Sequence, residues 1–162
     1  MKKSIFRVRL EEKQKVRFHY GITEGQMQKY MERAFRQAGP TAENLFRMLE
    51  RRLDNVVFRL GFAPTIRAAR QLVTHGHIRV DGRRVDVPGQ LIERGQEISV
   101  GPRGREIPDV RAAVEKGPEV TLPGFLARDA ADPFTGRMTG EVSREDVPIV
   151  VDDAAIVEFY AR

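Results

Sequence analysis

Apolar positions at Leu45, Leu49, Leu53, Val56 and Leu60 recur every three or four residues. That spacing draws one buried stripe along a helical stretch, with a break expected near Leu53. Upstream, Met27, Tyr30, Met31, Ala34, Phe35 and Ala38 keep the same period and read as core, with Thr23 placed as N-cap. Gly39-Pro40 ends that helix and Thr41 caps the next. Downstream, Gly61 closes the long stripe. Pro64-Thr65 then opens a helix with Ile66, Ala69, Leu72 and Val73 on its buried side, and Gly76 ends it.

Beyond Gly76 the period drops from helical to alternating. Ile78-Arg79-Val80, Asp81-Gly82 and Arg83-Arg84-Val85-Asp86-Val87 carry a hairpin signal, because Asp-Gly accepts the positive φ angles of a two-residue turn. Such a turn sets Val80 opposite Arg83, Arg79 opposite Arg84 and Ile78 opposite Val85. Ile78, Val80, Val85 and Val87 then face the core. A bulged loop would shift this register. Pro88-Gly89 turns the chain, Leu91-Ile92 is short and extended, and Glu97–Val100 alternates as a strand.

The remainder is less patterned. Pro102 and Gly104 mark a linker-like break, and 109–116 reads as one short helix ended by Gly117. From 118 to 148, residues 120–122 and 137–142 are the candidate short strands and the rest reads as loop. Residues 152–160 form a capped final turn that docks onto the body. At the other end Arg7, Arg9, Lys13, Lys15 and Arg17 fall almost every second residue, so no amphipathic helix stands out before about Leu10. This arm is either floppy or ordered against phosphates. The pattern predicts an α+β chain: a helical domain over 1–52, a helix-pair and antiparallel-strand module over 53–100, a loop-rich extension over 101–148, and a terminal segment 149–162 that the family resemblance given below joins to the helical domain.

Charge sharpens the picture. Residues 1–100 carry 20 Lys and Arg against 11 Asp and Glu, while residues 101–162 carry 8 against 12, which together give the net +5. A basic front half suggests a polyanionic partner. With 41% hydrophobic and 31% charged residues the chain has a globular composition, and no apolar run approaches the roughly 20 residues of a membrane helix. The basic start lacks the apolar core of a secretion signal. Absence of cysteine excludes disulfides and cysteine-ligated zinc, and fits a cytoplasmic chain.

Candidate chemistry is sparse except for the arginines. Glu11-Glu12, Glu145-Asp146 and Asp152-Asp153 are adjacent pairs, which do not converge on one substrate atom. No nucleophile elbow and no phosphate-binding P-loop is present, so no enzymatic activity is expected. His75-Gly76-His77, with His19 and Asp86, is the nearest approach to a metal set. It reads instead as a helix C-terminus, and no metal or cofactor is expected. The basic positions form three groups: Arg52, Asn55 and Arg59 along one helical stripe, Arg67, Arg70 and Gln71 along the next, and Arg79, Arg83 and Arg84 on the hairpin. If the helices pack on the strands through their apolar stripes, the three groups share one face. Arg79 opposite Arg84 is the sharpest hint. Like charges so placed destabilise a sheet by up to about 1 kcal/mol, and a phosphate lying across both reverses the sign.

RLDNVVFRLGFAPTIRAARQLVTHGHIRVDGRRVDVPGQLIERGQEISV resembles an RNA-binding fold, the alpha-L fold, that a ribosomal protein shares with heat-shock RNA binders, pseudouridine synthases and some tRNA synthetases. LEEKQKVRFHYGITEGQMQKYMERA, TAENLFRMLERRLDNVVFRLGF and PIVVDDAAIVEFYAR extend the likeness along nearly the whole chain to bacterial small-subunit ribosomal protein four, the S-four family, N-terminally shortened. The resemblance implies direct binding to small-subunit (16S) rRNA, nucleation of subunit assembly and a part in translational accuracy. It implies contact with the neighbouring fifth small-subunit protein and with mRNA. Matching positions for rRNA are Lys13, Lys15, Arg17, Arg51, Arg52, Asn55, Arg59, Arg67, Arg70, Gln71, His75, His77, Arg79, Arg83 and Arg84. The rival readings are a free-standing RNA-binding stress or rescue factor, a translational repressor, and an RNA-modifying enzyme, for which the residues after Val100 are too few.

Overall fold

The computed structural model describes residues 2–161 as two compact units. One combines Met1–Leu49 with Ser143–Arg162, and the other is Glu50–Val142.

The first unit is helical. Helix α1 spans Ile5–Tyr20, α2 Glu24–Arg36, α3 Thr41–Glu50 and α8 Asp153–Tyr160. The basic arm is therefore a helix from Ile5, contrary to the reading of its first residues. Ser4 caps it, and acidic partners neutralise its cations: Arg7 meets Glu11 at 3.0 Å and Lys3 meets the same carboxylate at 2.7 Å. Thr23 and Gln26 make a reciprocal capping box for α2. Met27, Met31 and Ala34 are buried as their period predicts, while Phe35 is 42% exposed. Helix α8 packs on α1 and α2, through buried Ala155 and Ile156. Arg144 holds it with a fork onto Asp153, both bonds 2.9 Å, and lies 4.5 Å from the centre of the Phe46 ring.

The second unit sets α4 (Leu53–Arg59) and α5 (Ile66–Thr74) with an antiparallel sheet ordered β2-β1-β3-β5-β4. Strand β1 is Ile78–Val80, β2 Arg83–Arg84, β3 Glu97–Val100, β4 Leu126–Arg128 and β5 Thr135–Met138. The apolar stripes of α4 and α5 meet Ile78, Val80, Ile98, Val100 and Met138 in one core. The long stripe does break before Leu53: Arg52 bridges to Leu91, and the Leu53 N–H donates to the Gln90 carbonyl. Residues 101–142 keep long loops but also hold regular elements. These are α6 (Pro102–Arg105), α7 (Pro108–Lys116) and the β4–β5 hairpin, and β5 pairs with β3. No strand forms at 120–122, and the strand placed at 137–142 lies at Thr135–Met138. Gly136 allows this pairing beneath α4, since a Cβ there would lie 2.5 Å from Leu60 Cδ2. Val87 is 55% exposed and does not join the core, because the β1–β2 ladder ends at Arg84.

Candidate nucleic-acid interface

The hairpin builds the centre of the site. Asp81 (φ 50°) and Gly82 (φ 80°) form the tight turn, and the register is Val80 with Arg83 and Arg79 with Arg84. Alternation sends Ile78 and Val80 inward and leaves Arg79 and Arg84 together on the opposite, exposed face. Gly76, in the left-handed region, leaves its surface bare, and the Arg84 guanidinium lies across it. Gly101 plays the same part for Arg79, whose Nε would sit 3.4 Å from a Cβ there. The Gly101 N–H also donates to the His77 carbonyl at 2.7 Å, which brings α6 and Arg103 up beside the hairpin. Gly104 permits the close approach: a Cβ on it would stand 2.7 Å from Val100 Cγ1.

His75, His77, Arg79, Arg84 and Arg103 thus line one concavity of about 360 Å³ with no carboxylate in its wall. Arg67, Arg79, Arg83, Arg84 and Arg103 have no ion pair among the described residues. Arg67, Gln71 and His75 follow one another at intervals of four along one ridge of α5 that runs into this concavity. Thr65 fixes the start of that ridge by accepting from the Ala68 N–H at 3.0 Å.

Other predicted contacts lie elsewhere. Arg52, Asn55 and Arg59 are 3%, 1% and 2% exposed, so they make no open stripe. The reason is two buried carboxylates. Glu50 takes Arg59 Nη1 at 2.6 Å and Asn55 Nδ2 at 3.0 Å, and Asp54 takes a fork from Arg52 at 3.1 and 3.0 Å. Arg70 turns onto the same Asp54 carboxylate, at 3.1 and 3.0 Å. Arg51 donates to the Ile92 carbonyl at 2.8 Å and ties the helix junction to the loop before β3. Arg83 is exposed, but its register with Val80 points it away from Arg79 and Arg84. In the helical unit Lys13 is 5% exposed, bonded to Glu24 at 2.6 Å and 4.8 Å from the centre of the Phe159 ring. Arg17 is half-buried against Gln14 and the Ile22 carbonyl. Lys15 is exposed and pairs with Glu12. Among the described residues no three His, Asp or Glu side chains are grouped to hold a metal ion.

The signature of the S4 domain matches residues 51–98, and that of the ribosomal protein S4/S9 N-terminal domain matches residues 2–50. The chain is 44% identical over 161 residues to small ribosomal subunit protein uS4B of Nitrosomonas europaea, covering 99% of this chain and 78% of that protein. It belongs to the uS4 family of small ribosomal subunit proteins. Small ribosomal subunit protein uS4 of Thermosynechococcus vestitus is 45% identical over the same share of this chain and 79% of its own length. As a uS4 protein it is a structural component of the ribosome and not an enzyme. No helix among the described residues is long and apolar enough to cross a membrane. Within this uS4 chain the S4 domain match stops inside β3, so Arg103 falls outside it. Sequence reading missed Arg103 for a related reason: Gly101-Pro102-Arg103-Gly104 reads as a loop, and only the Gly101–His77 hydrogen bond brings it to the site.

Proposed function

We propose that this uS4 protein binds small-subunit rRNA directly through the concavity of Arg79, Arg84 and Arg103 and the α5 ridge of Arg67 and Gln71. The observation that carries the reading is the opposed, unneutralised pair Arg79 and Arg84 in a wall free of carboxylates. Arginine forks bridge phosphate oxygens, and a site without internal counter-charge gains most from an external one. Assembly nucleation and a contribution to decoding accuracy follow from the same contact, which fixes the fold of the rRNA that it joins. The neighbouring fifth small-subunit protein and mRNA are the further partners of this reading. Exposed Ile5 and Phe6 on α1 offer apolar surface for a protein neighbour. Filter binding to a small-subunit rRNA transcript, across a salt series, tests the reading. Affinity falling steeply with salt, and co-sedimentation with small subunits after a high-salt wash, are the expected results. Salt-independent or absent binding overturns it.

A further inference from the structure

A second hollow, of about 240 Å³, adjoins the arginine concavity and shares His75 and His77 with it. Its chemistry differs. Its lining includes buried Phe62, Leu72 and Val110, half-buried Ala68, and exposed Gln71 and Asp109. Asp109 is exposed in the first turn of α7 and is the single carboxylate in the lining. An acidic group beside a polyanion site repels the ligand unless it accepts hydrogen bonds from it.

We propose that this hollow takes one unpaired guanine of the bound RNA, while its phosphate lies over Arg79 and Arg84. The inference rests on the rRNA reading above and adds a base to it. A nucleotide needs an apolar slot for its ring next to a cationic seat for its phosphate, and the two adjoining hollows supply both. Imidazole faces and aliphatic walls receive unstacked bases. The carboxylate selects among them. It only accepts, and guanine presents two adjacent N–H donors on its pairing edge. Adenine, cytosine and uracil set an acceptor beside their donor, which Asp109 repels. Gln71 has the amide donor that the guanine carbonyl requires.

The test uses the full chain and a small-subunit rRNA transcript. A dicarbonyl reagent that adds across N1 and N2 of unpaired guanine is read out by primer extension. The native protein is expected to protect at least one guanine that is reactive in the free transcript. Asp109→Asn, a surface change, is expected to bind about five- to a hundred-fold more weakly and to leave that guanine reactive. Ala68→Leu, which fills the slot, should do the same. Its melting curve is checked first, and Asp109→Asn decides if it misfolds. Identical protection by native and Asp109→Asn protein, with both bound, overturns the base site and leaves the rRNA reading standing. Guanosine 5′-monophosphate occupying the hollow, with no rRNA guanine protected, overturns it in favour of a free nucleotide. Failure of the native protein to bind the transcript removes the rRNA reading and this one with it.

Discussion

Arg79 and Arg84 are partners across the β1–β2 hairpin, both are exposed, and neither has a carboxylate within ion-pair distance among the described residues. A sheet gains nothing from this pair by itself. Directly opposed like charges cost a hairpin up to about 1 kcal/mol. On the rRNA reading proposed above, the pair serves binding and not folding. Arg79→Ala with Arg84→Ala is expected to weaken rRNA binding and to flatten the salt dependence by about one log unit per log unit of salt, for the one phosphate that the pair shares and the variant leaves unneutralised. Urea unfolding of the same variant should show stability unchanged or higher by up to about 1 kcal/mol. An unaltered salt slope removes the pair from the interface.

Glu50 and Arg59 make the opposite case. Both are buried, at 0% and 2% exposure, and their charges meet at 2.6 Å. Removing one member of such a pair leaves the other charge stranded, a loss of about 3–5 kcal/mol. Glu50→Gln is expected to lower the unfolding free energy by that amount, read from urea titration. Exposed Arg67→Gln, by contrast, should leave stability within about 0.5 kcal/mol and weaken rRNA binding. A Glu50→Gln variant as stable as the native chain shows that the buried pair adds nothing to the stability of its unit.

The contrast explains what could be read from the chain and what could not. Hairpin register was legible because Asp81-Gly82 permits one tight turn and the alternation of Ile78, Arg79 and Val80 permits one face. The bounds of α5 were legible because Thr65 caps its start and Gly76 follows its end. Periodicity separates apolar from polar positions, but it does not separate solvated charge from charge paired in the interior. Arg59 and Arg67 look alike in sequence; only the fold brings Glu50 to one and nothing to the other. Strand β4 was hidden and β5 was read two residues late for a different reason. Gly136 breaks the alternation there, and its place under Leu60 is a tertiary fact.

Gly61 is a backbone constraint with two parts. Its φ is +85°, and a Cβ would lie 2.7 Å from the Pro118 backbone nitrogen, which has no rotamer to escape by. Gly82 has a similar φ of +80° but faces open space. Gly82→Ala is expected to cost the left-handed penalty alone, about 1 kcal/mol. Gly61→Ala adds the clash and should cost about 2 kcal/mol more. Denaturant midpoints of the two variants isolate the second part, and equal losses mean that the 117–118 backbone yields.

Glu24 links the helical unit to pH. Burial pushes its carboxyl up, but hydrogen bonds from Lys13 at 2.6 Å and Tyr160 at 2.9 Å outweigh that and hold it below its ordinary value of 4.5. A carboxyl lowered in the folded state contributes stability that is present in full above the unfolded value. That contribution is lost as pH falls through the folded one. Lys13, 5% exposed, is left without its counter-charge in Glu24→Gln at every pH. The variant is therefore expected to unfold at lower urea than the native chain at neutral pH. The gap should begin to close as pH drops below 4.5 and vanish below the lower folded value, where the native carboxyl also becomes neutral. Urea midpoints of both chains across that range check the sign. A gap that stays constant into acid shows that the Lys13–Glu24 charge pair adds nothing to folding.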